Sequence, residues 1–472
     1  MTTRKKILTP ADWGLKHNLN GELILNRFRL TDLAKKYGTP LYVFNEECFI
    51  ERAEEFRNSA AKIFYGNASV YYPFKCNSVP AVINTARLTG LSAEVMTEFE
   101  LELALKSGFN SSEIIVNGPC KTDRFLSNCL KENVNLIVID SISELLSLIK
   151  IHNSDSRQVH LLLRVNPDFI PNGLSKSSAT GSKSCSFGLD KKETLEALRI
   201  IESCTKLKFN GIHFHIGTGI RNPKAYSQVI KKLYPLFKGI KSLGFEIKIL
   251  DVGGGFASMT TRELSSFEMV ASQAYSSYRL KFGNQKFYSF EDYMNEIKQS
   301  VLNFFGSNSP EIYFEPGRCL TSPAQLLLLK VQRIKERNGK KWLITDGGLG
   351  TITMPTYYEY HEIFLCKQFN RSVKEKVTIT GPCCFASDLV CKNKVLPLVK
   401  EGEILALMDT GAYFNALESS FNFHKPAIIS INDDECRVVR RRETFQDMIG
   451  RDKNNSNFFG KEIYNEIYIN QK

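Results

Sequence analysis

The sequence predicts an α/β protein: a closed (β/α)8 barrel followed by a smaller, mostly β module. Eight short β-rich runs alternate with helical segments over about 270 residues. The alternation stops after Arg318, and strand-like runs with turns but no long helices follow. With 472 residues, 43% hydrophobic and 24% charged, the chain has ordinary globular composition and room for two domains.

In order, the β-rich runs fall at 69–74, 92–96, 113–117, 136–140, 160–165, 210–216, 248–252 and 311–315. Helical segments occupy 80–89, 98–107, 122–132, 142–152, 191–203, 224–243 and part of 288–305. Thr97 with Glu100, and Ser141 with Glu144, open two helices as capping boxes, and Gly108 is placed to close the first. An open doubly wound sheet fits six or seven such units less awkwardly than eight, so the sheet is expected to close. The β module draws on 326–334, 341–345, 377–380, 404–408, 427–431 and 437–440, and strand-like 41–44 is expected to join it. The expected division is a barrel over 48–318 and a β-rich domain made of 1–47 with 319–472.

A barrel presents its chemistry at the C-terminal ends of its strands. Lys75 ends the first run, Glu94 lies late in the second, Asn117 ends the third and Asp140 the fourth. Arg164 and His215 lie near the ends of the fifth and sixth, Gly253-Gly254-Gly255 follows the seventh, and Glu315 ends the eighth. A lysine delivered by an apolar run suits carbonyl chemistry, because burial penalises an ammonium that is neither paired nor deprotonated. The triple glycine lets backbone amides approach an anion. His213 and His215, two apart, are expected to face the same way on one strand. A metal site there would have to recruit carboxylates, because no other histidine ends a barrel strand. Amine, carboxylate, imidazole and anion nest on one rim together describe a pocket for pyridoxal 5′-phosphate. The Ser-, Gly- and Lys-rich stretch 166–186 reads as a lid beside it.

Composition narrows the function classes. The net charge of +12 is spread along the chain without a basic helix or aromatic-basic platform, so no nucleic-acid partner is expected. A basic surface suits anionic substrates or an acidic partner protein. Twelve scattered cysteines without a C-x-x-C pair are expected to be reduced, inert thiols of a cytoplasmic protein. No apolar run has the length of a signal sequence core or a membrane span, so no membrane partner is expected.

From about residue 30 to 449 a series of motifs falls in order: Phe74-Lys75-Cys76-Asn77, His213-Phe214-His215-Ile216-Gly217-Thr218, Asp251-Val252-Gly253-Gly254-Gly255, Glu315-Pro316-Gly317-Arg318, Gly381-Pro382-Cys383-Cys384 and Gly411-Ala412-Tyr413. With these the chain resembles the fold-type III pyridoxal-phosphate-dependent decarboxylases, the diaminopimelate and ornithine decarboxylase group, and is most similar in architecture to the diaminopimelate branch. The resemblance implies an alanine-racemase-like TIM barrel and removal of the α-carboxylate of an amino acid. It also implies a head-to-tail homodimer with shared sites, and no metal. By resemblance Lys75 carries the cofactor covalently, His215 stacks on its ring and Glu315 pairs with the ring nitrogen. Glu94 and Arg164 adjoin the cofactor; Thr218, Gly253, Gly254, Gly255, Gly317, Arg318 and Tyr413 surround its phosphate. Cys384 is the implied proton donor to Cα, reaching in from the other subunit.

Three departures concern the substrate. Met354 stands where diaminopimelate decarboxylases carry an arginine for the distal carboxylate, Phe385 where they carry a glutamate for the distal amine, and Ser186 where a lysine is common. Glu359 falls near the aspartate with which ornithine decarboxylases hold the side-chain amine. Arg318, Tyr358, Glu359, Phe385 and Tyr413 are therefore the expected substrate contacts. The expected distal pocket is less polar, or open to a conjugated amino acid or one borne by an acidic carrier protein. A decarboxylase-fold binding protein without catalysis is the alternative class; retention of Lys75, His215, Glu315, Cys384 and Tyr413 speaks against it.

Overall fold

The computed structural model describes residues 2–5, 7–152, 157–174, 178–275, 277–352, 355–367 and 371–451. Eight parallel strands close into a barrel: β1 (Ala68–Pro73), β2 (Ser92–Val95), β3 (Ile114–Val116), β4 (Leu136–Ile139), β5 (Val159–Arg164), β6 (Leu207–His213), β7 (Ile249–Asp251) and β8 (Glu311–Phe314). β8 pairs back onto β1, which removes both sheet edges. Each expected run lands on one strand. The strands stop one or more residues before the ends of the expected runs, although the amides of Asn117 and Glu315 still donate to the neighbouring segments, at Val95 and Gly253. The sixth run needs correction. β6 ends at His213, in register with Arg164 and Asp251, so His215 lies beyond the sheet. The pleat therefore does not align the two histidines, although both line one cavity.

The second unit is a nine-stranded sheet in which Gln325–Arg337 is central. The half of that strand nearest the barrel is buried and pairs with Leu41–Asn45 and Ile404–Leu407; its polar half pairs with Lys340–Thr345. Leu41–Asn45 also runs parallel to Ala427–Ile431, so the early strand does join the late sheet. The periodicity did not reveal Leu389–Pro397, where Lys392, Lys394 and Pro397 dilute the β signal. Nor did it reveal the excursion between β7 and β8, which forms Arg262–Glu263, a helix at Ser266–Ala274 and Asn284–Phe287.

Aromatic packing fixes the two strands that carry most of the chemistry. The helix Glu46–Phe64 is capped by Asn45, whose side chain accepts from the Cys48 amide. It buries Phe56 against Phe256, Phe290 and Phe314, with ring centroids 5.0, 4.8 and 5.6 Å away. Tyr226 stacks on Phe256 from the other side at 5.1 Å. Phe256 adjoins the triple glycine and Phe314 precedes Glu315, so this cluster sets the level of the rim at β7 and β8. Phe56→Ala is expected to destabilise the fold by about 3–5 kcal/mol, read from the urea unfolding midpoint.

Candidate active site

Lys75 sits on a single 3-10 turn, Phe74–Cys76, directly after β1. Its Nζ forms an ion pair with Glu94 of β2, whose side chain is buried. Together they open onto a cavity of about 630 Å3, within the range of small-molecule sites. Burial works against the charge on Lys75, but Glu94 and Glu315 outweigh it and hold the ammonium above the usual lysine range. Burial pushes the Glu94 carboxyl up to about 7 even though Lys75 opposes that rise.

Glu315 follows β8 and is 4% exposed. Asn117 donates to its Oε1 at 3.1 Å, and His213 Nε2 lies 3.4 Å from the same oxygen. Burial alone would protonate this carboxyl; His213, Lys75 and His215 outweigh burial and keep it well below the usual range. His213 and Asn117 Nδ2 also touch each other at 3.3 Å. Asp251 completes the group: atoms of His213, Asp251 and Glu315 all lie within 4.8 Å of one another. Spacing alone would admit a cation there, but the Asn117 amide, which donates to Glu315 and lies 3.3 Å from His213 Nε2, marks a hydrogen-bonded network. The sequence reading named none of these contacts to Glu315. The H-x-H pair and the aspartate before the triple glycine were the available signals.

His215 accepts a hydrogen bond from the Gly254 amide at its Nδ1, 3.1 Å away, which places any ring proton on Nε2. Burial pushes its pKa down to about 3, so the imidazole is neutral. This revises the expected role of the glycines. The amides of Gly253 and Gly254 serve Asp251 and His215, so they are not free for an anion; Gly255 carries no such bond among the described residues. Glycine is required for packing: a side chain at Gly253 would lie 2.8 Å from His215 Nδ1, and one at Gly254 would collide with the Glu315 carbonyl.

Thr218 and Tyr413 line the cavity further along; Arg318 Nε donates to Thr218 Oγ1 at 3.1 Å, and its guanidinium lies 5.0 Å from the centre of the Tyr413 ring. Gly317 brings this turn against Pro73, where a side chain would approach to 2.9 Å. Glu359 departs from its expected place as a substrate contact. Its buried carboxylate is engaged within the protein, 2.6 Å from Arg318 Nη1 and 3.3 Å from His361 Nε2. A cation already buried nearby captured it. Tyr358 lines the cavity.

Arg164 is anchored 3.7 Å from Asp140 and lies over Phe187 at 4.6 Å. Asp140 also accepts from the Gly188 amide at 2.8 Å, which ties down the end of the expected lid. That loop gives Ser178, Thr180 and Phe187 to the wall. Cys384 and Phe385 are exposed and do not line the cavity of their own chain. Met354 lies outside the described residues.

Residues 49–322 match the model of the family described as "Pyridoxal-dependent decarboxylase, pyridoxal binding domain". The chain belongs to that family. This pyridoxal-dependent decarboxylase is 30% identical to the diaminopimelate decarboxylase of Methanothermobacter thermautotrophicus, over 92% of this chain and 96% of that one. It is 28% identical to the diaminopimelate decarboxylase of Methanocaldococcus jannaschii, covering 92% and 95%. The crystal structure of a diaminopimelate decarboxylase from M. jannaschii superposes with a TM-score of 0.82 at 26% identity, covering 94% of this chain and 99% of that chain. The decarboxylase is thus a pyridoxal-phosphate-dependent carboxy-lyase with a TIM barrel and a mostly β second domain. Its residues fit the cofactor: one cavity combines a primary amine, an ionised buried carboxylate, a neutral imidazole and the Thr218 hydroxyl, which Arg318 holds through its Nε.

An amine must be neutral to attack an aldehyde, so the Lys75–Glu94 pair sets a pH dependence. Glu94→Gln removes a counterion that favours the ammonium, which lowers the Lys75 pKa. Covalent loading of the apoprotein with pyridoxal phosphate, followed by absorbance, is expected to begin at lower pH in the variant than in the parent.

Proposed function

We propose that this decarboxylase removes the α-carboxylate of an amino acid that lacks a free distal carboxylate, using a diaminopimelate decarboxylase-like frame with an altered distal pocket. The observation that carries this reading is the buried Arg318–Glu359 pair at 2.6 Å. An incoming second carboxylate would meet a guanidinium already neutralised, and displacing Glu359 would strand its charge in the interior. Met354 and Phe385, in place of a cation and a carboxylate, support the same reading.

Within it, Lys75 anchors the cofactor after giving up its proton, and Glu94 is the counterion that first holds that proton. Glu315 keeps a negative charge toward the ring nitrogen, and neutral His215 offers a flat face without adding a competing cation. Gly255, Thr218 and Tyr413 hold the phosphate, with Arg318 fixing Thr218 through its Nε, while Arg164 over Phe187 closes the wall against water. When bound, the cofactor supplies the electron sink for the bond that releases CO2. Cys384 of a second copy returns a proton to Cα. Exposure of Phe385, Leu417, Phe421 and Phe423, at 48%, 45%, 46% and 42%, supports a homodimer that covers this patch. The domains of such a dimer are a barrel over 48–318 and a β-rich unit from 1–47 and 319–472. The twelve unpaired cysteines support a cytoplasmic setting.

A second reading draws on the exposed Phe385: a conjugated amino acid, or one presented by an acidic carrier, projects outward there and needs no distal clamp. The net charge of +12 suits such a carrier.

Release of CO2 from lysine, ornithine, diaminopimelate and N-acylated diamino acids, measured on the loaded enzyme, tests both. Turnover is expected with substrates whose far end is neutral or cationic, and diaminopimelate as the fastest substrate would refute the proposal. The curated relatives are named for diaminopimelate, which makes it the essential control. Lys75→Ala and Cys384→Ala chains should each be inactive alone. After mixing and subunit exchange they should recover up to about a quarter of parental activity, since half of the dimers would hold one intact site.

A further inference from the structure

Asp251 closes β7 and is fully buried. Its Oδ1 accepts from the Gly253 amide at 2.8 Å. Its Oδ2 is buried without a hydrogen-bond partner, and the carboxyl lies in the same 4.8 Å cluster as Glu315. Two carboxylates this close, away from water, cannot both carry charge.

The surroundings decide which of them holds the proton. Glu315 has Asn117 and His213 on one oxygen, with Lys75 and His215 nearby. Asp251 has a single amide donor. The phenols of Tyr71 and Tyr313 face it from β1 and β8, and Glu94 adds a further acidic neighbour from β2. Burial and Glu315 push the Asp251 carboxyl well above its usual range.

We propose that Asp251 is a neutral acid whose Oδ2 proton is donated to Glu315, which makes Asp251 a positioning residue for the carboxylate that is to face the ring nitrogen. The donated proton spreads the charge of Glu315 over an internal hydrogen bond, and it holds the carboxylate plane against rotation. Glu315 then remains ionised across neutral pH although water cannot reach it. A buried acid used in this way is replaceable by its amide, because an Nδ2–H supplies the same donor and the remaining oxygen still accepts from Gly253. An ionised aspartate, serving as a charge or as a ligand for a cation, is not.

The test compares Asp251→Asn with Asp251→Ala. Asp251→Asn should bind pyridoxal phosphate within about threefold of the parent and give the same pH titration of the bound-cofactor absorbance, because its donor is retained. Asp251→Ala should bind about tenfold or more weakly, the loss expected when a hydrogen bond to a charged group is removed. In that variant the acidic limb of the titration should move to higher pH, because Glu315 loses a partner of its ionised form. Infrared difference spectra of the parent protein, grown with 13C-carboxyl aspartate, should show at neutral pH a protonated-carboxyl stretch that shifts with the label and is absent from Asp251→Asn. That last measurement needs no variant to assign the proton to an aspartate. A label-insensitive spectrum, an amide variant as damaged as the alanine variant, or stoichiometric divalent-metal binding that Asp251→Asn abolishes would each overturn the proposal.

Discussion

A single buried negative charge organises the rim of the barrel. Glu315 is nearly inaccessible to water, and such a carboxylate survives ionised only where other groups replace hydration. Here the replacements come from strands far apart in the sequence: an amide from the end of β3, an imidazole from β6 and an ammonium from the turn after β1. Closure of the barrel brings them to one point, and an open sheet would hold its first and last strands too far apart to do so. The fold is thus a precondition for the charge, and the charge acts on its neighbours in turn. With Glu94 it holds Lys75 as an ammonium, whereas at His215 burial overrides it and keeps the imidazole neutral, so two bases a short distance apart differ in protonation.

A second buried charge balance lies at the junction of the two units. Arg318 leaves the barrel directly after β8, whereas Glu359 and His361 come from the later chain. The Arg318–Glu359 ion pair, with His361 beside it, ties the two units together in a place where an unpaired arginine would be costly. The pairing also changes what the wall can recognise, because a guanidinium that is already neutralised offers geometry but little net charge.

The architecture was legible because its signal is local and repeated. Strand and helix each write a period into the sequence, and eight repetitions left little room for another arrangement. The motifs made the principal site residues legible too, since Lys75, His215, Glu315 and Arg318 each stand in a short recognisable string. Partners were harder. Nothing near residue 359 announces that its carboxylate will meet an arginine 41 positions earlier, and a glutamate beside two tyrosines reads equally well as surface. The triple glycine suggested free amides because composition does not say which acceptors lie within reach; the neighbouring aspartate and histidine claimed two of them. The excursion after β7 was lost for another reason. Its elements are short and polar, and they are held by pairing with distant strands, Arg262–Glu263 with Glu359–Tyr360 among them.

Leu41–Asn45 occupies an interior position in the second sheet, between Gln325–Arg337 and Ala427–Ile431. All five of its residues are buried in the finished protein. On the ribosome this apolar ribbon emerges early, yet its neighbours are made only after the whole barrel. At roughly 5–20 residues per second it waits tens of seconds with both edges bare. The nascent chain therefore carries an adhesive segment while the barrel is being made, and the second sheet cannot close around it until the barrel is complete.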